Sequence, residues 1–205
     1  MGGSSDLPFF YMLKYPYSIE TILVSAKKTE GVTPTFLTTA EVKNYLRVDY
    51  TVDDTIIADL IEGAYDAFEG YTNRSIRTYT IEAVWEQFGV SVDLPYMPVN
   101  FGSSAVAVTS VEYSFEDGTK NDVTSVWEQV GGSIRVLKPE TIAPGYRLYV
   151  DYDVVNPTIP KKLKMGLLKW IATNYEDRQN TADFNVYEVP NSSKHLWAEY
   201  RVMTL

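Results

Sequence analysis

The chain has 205 residues, a formal net charge of −9, 45% apolar residues, 16 Tyr, 4 Trp and no Cys. That length and apolar share allow one domain with a buried core, with or without extended arms. The missing Cys excludes disulfides and thiolate metal sites, and the acidic balance argues against wrapping DNA, because phosphate affinity comes from Lys and Arg releasing counterions. The abundant Tyr and Trp point to surfaces that bury against other proteins.

Residues 1–36 read as an N-terminal arm. Pro8, Pro16, Gly31 and Pro34 interrupt any regular pattern, while Phe9, Phe10, Tyr11, Tyr15 and Tyr17 supply apolar surface. Such an arm either lies on this subunit or a neighbour, or is a partly disordered tail. Met1 to Leu13 has neither a basic leader nor a long apolar run, so no signal peptide is expected. Asp6 stands where a myristoylation motif needs Ser or Thr. No window offers the roughly 18 apolar residues of a membrane span. The expectation is a soluble protein made in a cytoplasm.

Thr38 and Glu41 have the spacing of a capping box, which predicts a helix over 38–47 with Val42, Tyr45 and Leu46 on its inner face. Thr51 and Asp54 offer a second cap, opening a longer helix over 52–72. Its apolar residues Ile56, Ile57, Leu60, Ile61, Ala64, Ala67, Phe68 and Tyr71 recur at helical spacing. Asp59, Glu62, Asp66 and Glu69 form an acidic stripe on the opposite side. The stripe reads as a solvated helix face, a cation or acid–base site, or an electrostatic surface toward a partner or passing DNA.

From 76 to 155 the pattern turns to β. Tyr79, Ile81, Ala83 and Trp85 alternate with polar residues, as do Val111, Tyr113 and Phe115, and Leu148, Val150, Tyr152 and Val154. Asp117-Gly118, Gly131-Gly132 and Pro144-Gly145 are turn signals between short strands. A third helix over 160–178 opens at Pro160, a residue suited to a first helical turn, and shows Leu163, Leu167, Leu168, Ile171 and Tyr175 on one face. Residues 181–205 form an irregular, aromatic tail. The predicted fold class is α+β: an N-terminal helical hairpin and a C-terminal helix packed with a small antiparallel sheet or sandwich. The division is an arm at 1–36, a domain at 37–180 and a tail at 181–205.

Enzymatic chemistry finds little support. A lone His195 rules out multi-histidine metal sites and most Ser-His or Cys-His systems, and its aromatic setting suits packing or a surface role. The phosphate loop and the dinucleotide fingerprint are missing. Ser25-Ala26-Lys27-Lys28 matches S-x-x-K, but the partner motifs of a penicillin-binding site do not follow. No cofactor is expected. A hydrolase using Glu62 and Asp66 is the residual enzymatic reading.

Lys161, Lys162 and Lys164 sit in the first turn of the third helix, where the macrodipole disfavours each cation by about 0.3–1 kcal/mol. An acidic surface would offset that. The stripe of a neighbouring copy is one candidate, in a heterologous contact repeated around a ring.

Thr38-Thr39-Ala40-Glu41-Val42-Lys43-Asn44-Tyr45-Leu46-Arg47-Val48-Asp49, then Asp53-Asp54, Ile57, Leu60-Ile61, Ala64, Glu69, Thr72-Asn73-Arg74 and Ile76, resembles the helical signature of the phage head-tail connector family. In words, the signature is T-x-x-E-x-K-x-x-L-R-[VI]-D, a paired acid, and a long helix ending in E-x-x-T-[GN]-R. Looser similarity runs through Val108-Thr109-Ser110-Val111-Glu112-Tyr113, Pro160-Lys161-Lys162-Leu163-Lys164, Tyr175-Glu176-Asp177-Arg178 and the ending Tyr200-Arg201. Asn73 replaces the usual Gly, a mild change because Asn tolerates the left-handed conformation.

The resemblance implies a structural virion protein at the head-tail junction, not an enzyme. It implies a homo-oligomeric ring, commonly twelvefold, beneath the portal, extending the DNA channel and offering a docking surface to the tail or a stopper protein. DNA would pass through without sequence-specific binding, helped by carboxylates facing the channel. Leu196, Trp197, Tyr200 and Arg201 become candidate portal contacts. Asp59, Glu62, Asp66, Glu69, Lys161, Lys162 and Lys164 become candidate inter-subunit or channel charges. The rival reading is an oligomeric adaptor of a secretion or contractile apparatus.

Overall fold

Thr38 opens the first helix as a full capping box: its hydroxyl accepts the Glu41 N–H at 3.2 Å, and the Glu41 carboxylate accepts the Thr38 N–H at 3.1 Å. This helix, α1 (Thr39–Leu46), ends at Arg47 in the left-handed conformation, with φ 58°. The computed structural model describes residues 22–31, 35–86, 91–99, 105–114, 119–123, 127–130, 133–136, 147–156, 158–176 and 192–202. The aromatics Phe9 to Tyr17, the turns Asp117-Gly118, Gly131-Gly132 and Pro144-Gly145, and Phe115, Asp177 and Arg178 lie outside them. The chain forms two compact units, one of Met1–Gly31, Tyr79–Pro95 and Phe101–Val155, the other of Val32–Thr78, Tyr96–Asn100 and Asn156–Leu205.

Among the described residues the first unit is all β. Its strands are β1 (Ile22–Glu30), β2 (Tyr79–Glu86), β3 (Ser91–Asp93), β4 (Val106–Ser114), β5 (Lys120–Asp122), β6 (Trp127–Val130), β7 (Ser133–Val136) and β8 (Arg147–Val154). They make an antiparallel five-stranded sheet, β1-β2-β8-β4-β5, and an antiparallel three-stranded sheet, β3-β7-β6. The period-two pattern governs the centre: Tyr79, Ile81, Ala83 and Trp85 are buried, and so are Leu148, Val150, Tyr152 and Val154. Register confirms the shared face, with Ile81 opposite Tyr152, Ala83 opposite Val150 and Trp85 opposite Leu148.

β1 lies within the stretch expected to be an arm without regular structure. It pairs with β2 along its length, and the register shifts between Leu23 and Ser25. Eight of its nine residues are exposed and only Ala26 is half-buried, so this edge strand shows no alternation for a sequence reading to find.

The second unit is helical: α1, α2 (Asp54–Thr72), α3 (Lys161–Glu176), and a C-terminal segment of α4 (Ser193–Trp197) and a 3₁₀ turn (Ala198–Tyr200). Val42, Ile57, Ile61, Ala64, Phe68, Leu163, Leu167, Ile171 and Trp197 are among its core residues. α2 starts at Asp54 rather than at the Thr51–Asp54 cap, because both acids are engaged elsewhere. The Asp53 carboxylate accepts the Tyr175 hydroxyl and makes no cap bond, while Asp54 takes Lys43 Nζ at 2.6 Å. The paired acid therefore ties α2 to α3 and to α1. Tyr45, expected on the inner face of α1, is exposed.

No helix among the described residues is long and apolar enough to cross a membrane.

Candidate assembly surfaces

The end of α2 carries the E-x-x-T-N-R motif, and each of its residues has a task in the helical unit. Asn73 takes the left-handed conformation, φ 55°, and its N–H donates to the Glu69 carbonyl at 3.0 Å. The Glu69 carboxylate then reaches past the helix end to accept the N–H groups of Ile76 at 2.9 Å and Arg77 at 3.2 Å. Thr72 Oγ1 donates to the Phe68 carbonyl at 2.8 Å and accepts the Arg74 N–H at 3.3 Å.

The same motif holds the C-terminal segment. Arg74 Nε donates to the Tyr200 carbonyl at 2.6 Å and its Nη1 to the Pro98 carbonyl at 3.2 Å. Val202 N–H donates to the Thr72 carbonyl at 2.8 Å, and Asn73 Nδ2 donates to the Val202 carbonyl at 3.3 Å. Bonds from a charged donor contribute about 1.5–3 kcal/mol each, roughly twice a neutral pair. Asn156, fully buried, secures the other side of this corner. It accepts the Val99 N–H at 3.0 Å and donates to the Ser75 carbonyl at 2.9 Å.

Side chains complete the anchoring. Trp197 is 1% exposed, edge-on to Phe68 with ring centroids 5.6 Å apart, and tilted against Tyr71 at 6.4 Å. It lies so close to α3 that a Cβ on Gly166 would overlap Trp197 Nε1. Tyr200 packs edge-on to Phe68 at 6.4 Å, and burial with the adjacent Glu199 pushes its phenol up to about 12. Of the four candidate portal contacts, then, Trp197 belongs to the unit's own core. Leu196 and Tyr200 are half-buried, and Arg201 is exposed with its guanidinium 5.4 Å from the Tyr71 ring.

The acidic stripe closes on a residue that the sequence reading had not weighed. Arg77, 5% exposed, places Nη1 2.7 Å from Asp66 and Nη2 3.0 Å from Glu62, with Glu69 at 3.9 Å. Nη2 also donates to the Glu62 carbonyl at 3.2 Å, and the guanidinium lies 5.5 Å from the Tyr65 ring. Three stripe carboxylates thus gather round one internal cation, and only Asp59 stands apart, exposed. An acidic run at three-and-four spacing followed by an Arg just beyond the helix end was the available signal.

The lysines at the start of α3 likewise find carboxylates within the chain. Lys162 Nζ is 2.6 Å from Glu199, and Lys164 Nζ is 2.8 Å from Glu41. Each lysine holds its partner's carboxyl below the ordinary range. The offset sought in a neighbouring copy is therefore supplied internally for these two, while Lys161 is exposed. His195 is exposed on α4, and the described residues contain no group of His, Cys, Asp or Glu that could hold a metal ion.

Residues 37–125 match the family model of the phage gp6-like head-tail connector protein. The family is one of structural connectors rather than enzymes. A likeness of fold extends well beyond the matched segment. A chain in the neck of an empty gene transfer agent particle, computed with C6 symmetry, superposes with a TM-score of 0.67 at 21% identity, covering 87% of this chain and 97% of that one. A chain in the virion of the native gene transfer agent particle gives 0.65 at 21% identity, covering 87% and 96%. One in the neck of the native particle, computed with C12 symmetry, gives 0.64 at 21%, covering 87% and 97%. No curated protein sequence matches this chain.

Proposed function

We propose that this chain is a structural virion subunit at the head-tail junction, assembling into a twelvefold ring beneath the portal. The ring extends the DNA channel and presents a docking surface for the tail or a stopper protein. The observation that carries this reading is the agreement of two independent likenesses: the connector-family match over 37–125 and a shared fold over 87% of the chain with components of particle necks.

The portal side of the ring is assigned to the C-terminal segment. Leu196, Tyr200 and Arg201 keep accessible surface there, while Trp197 anchors the segment from beneath. That arrangement suits a docking surface, since a segment already ordered loses little entropy on binding. Among the charges, Asp59 and Lys161 are the members of the two sets that the fold leaves exposed without a contact described above. They are the preferred residues for an inter-subunit or channel role. The net charge of −9 suits a passage through which DNA slides, because the ring as a whole repels phosphate.

Quantitative mass spectrometry of purified particles tests the assignment. The expected result is this chain present in a fixed ratio to the portal protein. Its consistent absence from purified particles would overturn the assignment.

A further inference from the structure

We infer that Arg74 couples the C-terminal segment to a strained loop at residues 96–99, so that lifting residues 192–202 loosens that loop. The coupling stands on geometry; its use, passing the seating of a partner to the loop, rests on the portal reading above.

Three non-glycine residues among those described have a positive φ: Arg47, Asn73 and Tyr96. Arg47 and Asn73 each end a helix, where the left-handed conformation is ordinary. Tyr96, with φ 53°, ends none and carries a bulky aromatic side chain, for which that conformation is strained. Such strain persists only where the surroundings over-determine the backbone, and it collects at clamps and switches. The loop also has a particular place in the chain. Tyr96–Asn100 is the short stretch of the helical unit set between two stretches of the β unit, Tyr79–Pro95 and Phe101–Val155.

Three side chains hold it. The Tyr96 carbonyl accepts Ser75 Oγ at 2.7 Å, and the Met97 carbonyl accepts the Ser75 N–H at 3.0 Å. The Val99 N–H donates to Asn156 Oδ1 at 3.0 Å, and Asn156 Nδ2 closes the set on the Ser75 carbonyl at 2.9 Å. Ser75 and Asn156 are buried, so water does not compete for these bonds. The third holder is Arg74, whose Nη1 donates to the Pro98 carbonyl at 3.2 Å.

Arg74 is also the holder that reaches the C-terminal segment. Its Nε donates to the Tyr200 carbonyl at 2.6 Å. A guanidinium is a rigid planar fork, so its donors move together. When the segment lifts, Arg74 loses the bond that sets its plane, the Pro98 bond slackens, and the strained Tyr96 loses one of its restraints. By linkage the effect is reciprocal: a loosened loop weakens the seat of the segment. A partner seated on Leu196, Tyr200 and Arg201 therefore biases the loop through a path of Tyr200, Arg74 and Pro98.

Amide hydrogen exchange, read by NMR on the full-length chain, tests the coupling. Val202→Pro removes the Val202 N–H bond to the Thr72 carbonyl at an exposed position and frees the end of the segment. Faster exchange is expected at Leu196 and Arg201 and, several-fold, at Val99, with Ile61 in α2 and Ala83 in β2 unchanged. In an Arg74→Met background the same substitution should leave Val99 unmoved, because the path is cut. A Val99 amide that keeps its protection while the segment loosens overturns the coupling, and an equal response in the Arg74→Met background overturns the part given to Arg74. Ile61 quickening in step with Val99 also overturns it, since that is a general loss of stability. Trp197→Leu is a second way to lift the segment. A segment that stays protected in both variants, or lifts only as α2 unfolds, has no separate motion to transmit and overturns the proposal. None of these readings needs a ring or a portal, so this coupling and the head-tail assignment fail separately.

Discussion

The C-terminal segment and β1 are of similar length and are held by opposite means. Residues 192–202 are fixed by side chains: Trp197 buried against Phe68 and Gly166, Arg74 on the Tyr200 carbonyl, and Asn73 on the Val202 carbonyl. β1 has backbone pairing to β2 and almost no side-chain burial. The difference separates two uses of a peripheral segment. One completes a core and shows only what is left over, while the other leaves nearly its whole apolar surface for something else to cover.

The contrast predicts unequal responses to substitution. The largest is at Trp197. Trp197→Ala should cost about 3–5 kcal/mol, the usual range for emptying a buried aromatic site, measured by urea denaturation of the full chain. A loss below about 1 kcal/mol would mean that the segment contributes little to the fold. Gly166→Ala comes next. Alanine gains about 1 kcal/mol in a helix interior, but forcing a methyl group into the Trp197 ring costs about 1–3 kcal/mol. The overlap of that added Cβ with Trp197 Nε1 therefore makes a net loss the expected outcome. If the variant is more stable, the ring is not seated on α3 as described.

Between the two extremes lies the Lys164–Glu41 pair, which is partly exposed and contributes below about 1 kcal/mol. Lys164, with the Thr38 backbone bond next, holds the Glu41 carboxyl below its ordinary 4.5. The pair's stabilisation is therefore complete above that value and is lost as pH falls through the lower folded value. Thermal melts of the parent and of Lys164→Met should differ by a constant amount near neutral pH and converge in acid. A gap that widens in acid would contradict the assignment. The smallest effect is expected in β1, where Val24→Ser should change stability by less than about 0.5 kcal/mol. A loss comparable to that at Gly166 would erase the distinction between the two segments.

Legibility in the sequence followed burial. The capping box at Thr38 and Glu41, the apolar faces of α2 and α3, and the alternation in β2 and β8 each impose a period that one-sided burial requires, and each appears in the structure. β1 carries no period because it is exposed on both faces. The role of Arg77 was hidden for a different reason: its partners share a face of α2, but only the chain reversal at Asn73 brings the guanidinium back to them. Likewise the end of α2 was recognisable as a motif, yet its service as a socket depends on residues 126 and 129 positions away. Tyr45 and Ile56 fitted helical faces by spacing and are exposed, since the end of α1 and the first turn of α2 bury only part of their apolar residues.

Cryo-EM of the head-tail junction in intact particles that carry this chain tests the central claim most directly. The account predicts density for a closed ring of copies beneath the portal, with residues 196–201 on the portal side. A junction fully built from other chains, with no copy of this one in its density, would contradict it.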